Sequence, residues 1–112
     1  MALGNNVIST SGVGNSTGIS GVVRSVSGAN TIASNWNLIG GGGDTTVRAD
    51  ANSTLNINGN VGAFNIGLRN LNLVGDGDFN FGGLLRDSNS GNATDRLGVN
   101  SGTTGTTTFN IA

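Results

Sequence analysis

Asp76 and Asp78 stand two apart in Gly75-Asp76-Gly77-Asp78, so both carboxylates face one side if the segment is extended. Such a pair is the start of a Ca²⁺ site or of an acid–base couple. A calcium-binding nonapeptide requires Gly-Gly-x-Gly-x-Asp, and neither this segment nor Gly40-Gly-Gly-Gly-Asp44 keeps that spacing. Both read as turns. Nor is the glycine run at 40–43 a phosphate cradle, because a P-loop needs a Gly-Lys-Ser/Thr step opening a helix and the chain has no lysine. With no His, Lys, Glu, Cys or Tyr, general acid–base chemistry is left to aspartate alone. The chain is therefore expected to be non-catalytic, with no cofactor and no metal site.

The other candidates are weaker. Arg24, Arg48 and Arg69 follow each other at 24 and 21 residues, which places them on one exposed face, paired with aspartates and setting the register of successive turns. Nucleic-acid binding wants a basic excess with stacking aromatics; the net charge is −1 and aromatics make up 4%. Trp36 is a conceivable sugar platform, yet beside Leu38 and Ile39 it reads as partly core. A threonine array able to order water needs one Thr per turn, and Thr31, Thr54 and Thr107 keep no such beat. The sequons at Asn15, Asn52 and Asn92 are chance matches in so Asn- and Thr-rich a chain.

The elements that hold these residues announce themselves by repetition. Ile8, Ile32, Ile57 and Phe81 recur at 24, 25 and 24 residues. A second series, Val13, Leu38, Val61, Leu85 and Phe109, recurs at 25, 23, 24 and 24, and a third, Val22, Val47, Leu71 and Leu97, at 25, 24 and 26. Between them Gly4, Gly28, Asn52, Gly75 and Gly98 mark corners, as do Gly18, Gly42, Gly67 and Gly91; Gly and Asn are the residues that tolerate left-handed backbone. Apolar columns alternating with corner columns predict a parallel β-helix, a β-solenoid of about 24 residues per coil and four to five coils. Handedness and the number of strands per coil stay open.

Composition agrees with an all-β chain. Apolar residues make up 35% and charged residues 10%, and the apolar ones are mostly Val, Ile, Leu and Phe, which favour strands. Thr54-Leu-Asn-Ile-Asn58, Leu71-Asn-Leu73, Phe79-Asn-Phe81 and Thr108-Phe-Asn-Ile111 alternate apolar with polar, placing Asn on one face and the core on the other. A chain of 112 residues is one domain, 1–112. Asp87–Asp95 has a single small apolar residue and reads as a protruding loop; the 28 residues from Phe81 to Phe109 match a small insertion there. No apolar run is long enough to span a membrane, and Met1-Ala-Leu-Gly does not read as a secretory leader.

Two stretches carry a family likeness. One is Arg24-Ser-Val-Ser-Gly-Ala-Asn-Thr-Ile-Ala-Ser-Asn-Trp-Asn-Leu38 with Asp44-Thr-Thr-Val-Arg-Ala-Asp-Ala-Asn-Ser-Thr-Leu-Asn-Ile-Asn-Gly59; the other is Leu71-Asn-Leu-Val-Gly-Asp-Gly-Asp-Phe-Asn-Phe-Gly-Gly-Leu-Leu85. Together they resemble the autotransporter-associated β-strand repeats of bacterial surface and secreted proteins. The likeness covers residues 20–85, with Leu84-Leu85 where the repeat has Val-Ile. It implies a right-handed parallel β-helix exported to the cell surface, usually within a longer protein, and no catalytic residues.

The expected role follows from the ends. A stack of coils leaves unpaired backbone groups on its first and last strands, and such edges recruit further strands. Val7 and Ile8 at one end and Phe109 and Ile111 at the other are the expected assembly interface. The partners are identical subunits or neighbouring solenoid repeats, in an extracellular or cell-surface fibre. The competing expectation is an adhesin-type module presenting the 87–95 loop or a polar face to glycans.

Overall fold

Runs of three to eight residues that alternate inward and outward, broken by Gly, Asn and Asp, can make only short strands, and short strands need neighbours. The computed structural model describes residues 8–10, 22–39, 44–64, 68–89, 91 and 93–109, and among them there is no helix. Its strands are β1 (Ile8–Thr10), β2 (Val23–Ser25), β3 (Gly28–Ile32), β4 (Trp36–Leu38), β5 (Thr45–Ala49) and β6 (Ser53–Ile57). They continue with β7 (Val61–Ala63), β8 (Leu68–Gly75), β9 (Asp78–Phe81), β10 (Leu85–Ser88), β11 (Arg96–Ser101) and β12 (Thr107–Phe109).

Every third strand pairs, always in parallel. The sheets run β1-β4-β7-β10, β2-β5-β8-β11 and β3-β6-β9-β12. The chain is thus an all-β, parallel β-solenoid of about three turns, three strands to the turn. Register steps are not uniform: Val23 pairs with Val47, Ile32 with Ile57, Thr45 with Leu71 and Phe81 with Phe109, which are 24, 25, 26 and 28 residues apart. Each sheet spans three turns from its first strand to its fourth, and the unequal steps give no single coil length.

Inward residues build a narrow core. Ile32, Trp36, Leu38, Val47, Leu55, Ile57, Val61, Leu71, Leu73, Phe79 and Phe81 are buried, with Val23, Leu85, Leu97 and Val99 packed partly exposed against them. The expected columns are rearranged by small slips. Ile8 lies beside Trp36, not Ile32. Phe109 caps the Ile32–Ile57–Phe81 column, where its ring stacks on Phe81 with centroids 5.3 Å apart and planes 13° off parallel; it does not follow Leu85. Val61 pairs with Trp36 and Leu85, while Leu38 pairs with Ala63. Val47 lies between Val23 and Leu73, so the expected Val22 and Leu71 are one and two residues off, and Leu97 pairs with Arg69. A slip of two keeps every side chain on its face, which is why apolar spacing alone does not distinguish Leu71 from Leu73.

The late insertion is shorter than a nine-residue loop. Asp87 and Ser88 belong to β10, and Asp95 is fully buried. Val61 pairs with Leu85 at a step of 24, a bulge between Arg86 and Ser88 raises the step to 25, and from Arg96 on it is 28. The extra residues sit at that bulge and between Ser88 and Arg96.

Candidate functional site

The polar residues singled out by type and spacing are spent holding one coil to the next. Asp78 Oδ1 accepts the backbone N–H of Thr106 at 2.8 Å, and Asp76 Oδ1 accepts the Thr104 hydroxyl at 2.7 Å. Asp44 accepts both the backbone N–H (2.9 Å) and the side-chain amide (3.1 Å) of Asn70. The same device appears with asparagine: Asn35 Oδ1 takes the N–H of Asn60 at 3.0 Å, and Asn60 Oδ1 takes that of Leu84 at 3.1 Å. Each acceptor sits at a corner and faces the coil that follows. Backbone N–H groups of Asn60, Asn70, Leu84 and Thr106 in the next coil are thereby paired with side-chain oxygens.

Outward asparagines form the ladders that strand alternation anticipates. Asn80 Nδ2 donates to Asn56 Oδ1, and Asn100 Nδ2 to Asn72 Oδ1, both at 3.0 Å. Asn89 does something no spacing foretells. Its side-chain amide reaches back across two coils, to the Trp36 carbonyl at 3.0 Å and Asn37 Oδ1 at 2.9 Å. Gly62 makes room for it, since a Cβ there would lie 3.0 Å from Asn89 Oδ1.

Of the three arginines expected on one face, two are there. Arg24 pairs in register with Arg48, and both bind Asp50: Arg24 Nη2 lies 2.7 Å from Oδ2, and Arg48 Nε lies 2.7 Å from Oδ1. Arg69 is elsewhere, opposite Leu97. Hydrogen bonds from Arg24, then Arg48, hold the Asp50 carboxyl below the usual carboxylate range, and the Asn70 backbone and amide do the same for Asp44.

Acid sensitivity follows. A carboxylate whose folded pKa is depressed contributes stability that is whole above its unfolded value, about 4, and that disappears as pH falls through the folded value. Thermal stability should be level from roughly pH 5 upward and fall as pH drops below about 4, and Asp50→Asn should shrink that fall. Melting curves across pH at low salt measure it. A decline beginning above roughly pH 6 would contradict the assignment.

Other expected sites resolve as follows. Trp36 is fully buried in the core, with no face open for a sugar. The column holding Thr31 continues through Asn56 and Asn80 to Thr108, so threonine marks its ends only. Asn52 is an exposed corner with φ of 65°. Glycines 40–43, the sequon asparagines 15 and 92, and the interface residues Val7 and Ile111 lie outside the described residues. Among the described residues no three His, Cys, Asp or Glu side chains gather as a metal site, and no helix is long and apolar enough to cross a membrane.

The ends of the stack remain. Phe109 is 50% exposed on the last strand, in the same outer coil as partly exposed Leu85, Leu97 and Val99. Thr107 Oγ1, on the same strand, is buried without a hydrogen-bond partner. At the other end a cavity of about 410 Å³ opens inside the first coil, lined by residues that include Val23, Asn30, Ile32 and Leu55. What this geometry defines is a class: a parallel β-solenoid whose outer strands β10, β11 and β12 have no further strand beside them among the described residues. Comparison with protein-family models, with curated proteins and with solved structures finds no match.

Proposed function

We propose that the chain is a non-catalytic structural β-solenoid of a secreted or cell-surface bacterial protein, stacking end to end with other solenoid coils or identical subunits into an extracellular fibre. The observation that carries this reading is the last coil, where β10, β11 and β12 are the outer strands of all three sheets and Phe109 stands half exposed on the Phe81 ring. Such an edge offers hydrogen-bonding groups and an apolar layer together, which is what strand addition uses. A repeat of about 24 residues continuing for four to five coils, and kinship with autotransporter-associated repeats, belong to the same proposal. The carboxylates argue against a catalytic or loop-presenting role. Asp44, Asp76 and Asp78 bind neighbouring coils. Asp87 accepts the Leu97 N–H, and buried Asp95 accepts the Ser88 hydroxyl.

Sedimentation velocity over a concentration series tests the reading. The parent chain should shift to larger species as concentration rises. Phe109→Asp puts a charge on the apolar edge and should remain a single small species with an unchanged far-ultraviolet spectrum. Equal association of parent and variant would refute the contact.

A further inference from the structure

The reading of open ends leaves the partner and its register unspecified, and the inner side chains supply both. The inward column of the third sheet runs Asn30, Leu55, Phe79, Thr107. It is polar at its two ends and apolar between. Thr107 Oγ1 is buried with no partner. Asn30 Nδ2 donates to Ser25 Oγ at 2.9 Å and to the Ser27 carbonyl at 3.1 Å, while its Oδ1 accepts nothing among the described residues. One end holds an unused donor, the other an unused acceptor, at the same place in the cross-section.

Resting on that reading, we infer that the partner is a second copy of this chain, seated head to tail and sheet over sheet, with the Thr107 hydroxyl donating to Asn30 Oδ1 of the next copy. The same register continues the neighbouring column Ile32–Ile57–Phe81–Phe109 into Ile32 of that copy. Phe109 then enters the 410 Å³ cavity that Val23, Asn30, Ile32 and Leu55 help to line. In the first sheet Leu85 comes to the register position of Ile8, and in the second Ser101 to that of Val23, because Leu85 and Ser101 end the columns those residues begin.

The size is adequate. With principal extents of 38 × 33 × 22 Å, an end treated as an ellipse offers roughly 600 to 1,000 Å² depending on which two dimensions bound it, against about 800 Å² a side for a stable specific interface. A single buried polar pair in an apolar junction fixes register and direction, as a core asparagine does in a coiled coil. The junction lacks the carboxylate and amide corner acceptors found inside the molecule, since Leu84 and Thr106 take the positions that follow Asn60 and Asp78. Association is therefore weaker than coil-to-coil packing, and reversible.

Thiol cross-linking reads the register. The chain has no cysteine, so introduced thiols are unambiguous. Thr31 and Thr108 begin and end one outward column, and across the junction they become neighbours about 4.8 Å apart, inside the Cα range of about 4.4–6.8 Å that a disulfide spans. The double variant Thr31→Cys, Thr108→Cys should give a ladder of linked oligomers under mild oxidation, and neither single variant should link. Thr107→Val should weaken association about tenfold, the equivalent of one hydrogen bond, without changing the fold. Linking by Thr108→Cys alone means a head-to-head contact and overturns the register while sparing end association. Association without any 31–108 link does the same. A parent chain that stays monomeric overturns both the register and the reading beneath it.

Discussion

Trp36→Ala is expected to lower stability by about 3–5 kcal/mol, the cost of emptying a large buried aromatic site. Trp36 is fully buried between the strands carrying Ile8 and Val61. In a core so narrow the core-forming strands send only two or three side chains inward, and few neighbours can collapse into the gap. A domain of this size has only about 5–15 kcal/mol in total, so the loss shifts the melting temperature by on the order of 15 °C or more. Trp36→Phe keeps the apolar layer and should recover most of it. Thermal melts followed by far-ultraviolet circular dichroism measure both variants; a shift of only a few degrees in Trp36→Ala would place the indole outside the core.

Gly59→Ala is expected to be nearly as damaging for a different reason. Gly59 lies at the corner between β6 and β7, and a Cβ there would overlap the carbonyl group of Ser34, one coil earlier. Gly83, one coil later, stands in the same relation to the Gly59 carbonyl. The obstacle is main chain, which no rotamer change relieves, so the cost is about 3 kcal/mol or more, at the upper end for overpacking. Gly91→Ala is the control. Gly91 has φ of 86° but open space around its Cβ position, so only the backbone penalty of about 1–2 kcal/mol applies. Equal melting temperatures for the two variants would mean that residues 34 and 59 are not stacked backbone on backbone.

Much of this architecture is legible before any coordinates. Alternation in Thr54–Asn58 and Phe79–Phe81, and the recurrence of Ile32, Ile57 and Phe81, announce parallel strands stacked at a coil's interval, and the Phe81–Phe109 spacing announces an insertion. Register was less legible, because alternation repeats every two residues: Leu71 and Leu73 are equally apolar and equally buried, and only pairing distinguishes them. Phe109 fits two columns by spacing, and the extra residues at the bulge and between Ser88 and Arg96 decide between them. Among the polar residues, Arg24 and Arg48 on one face follow from charge and interval, while Asp50 as their shared partner comes from the structure. Asn35 and Asn60 as corner acceptors, and Asn89 as a clip across two coils, depend on which amides face the axis. Composition carries no signal for that.

Electron microscopy of the concentrated protein addresses the central claim most directly, that coils lie in parallel register and that the stack continues from one molecule to the next. Rods should form whose length grows with concentration, with a layer line at about 4.8 Å along the rod axis. Uniform compact particles of one chain each, unchanged at every concentration, would contradict it.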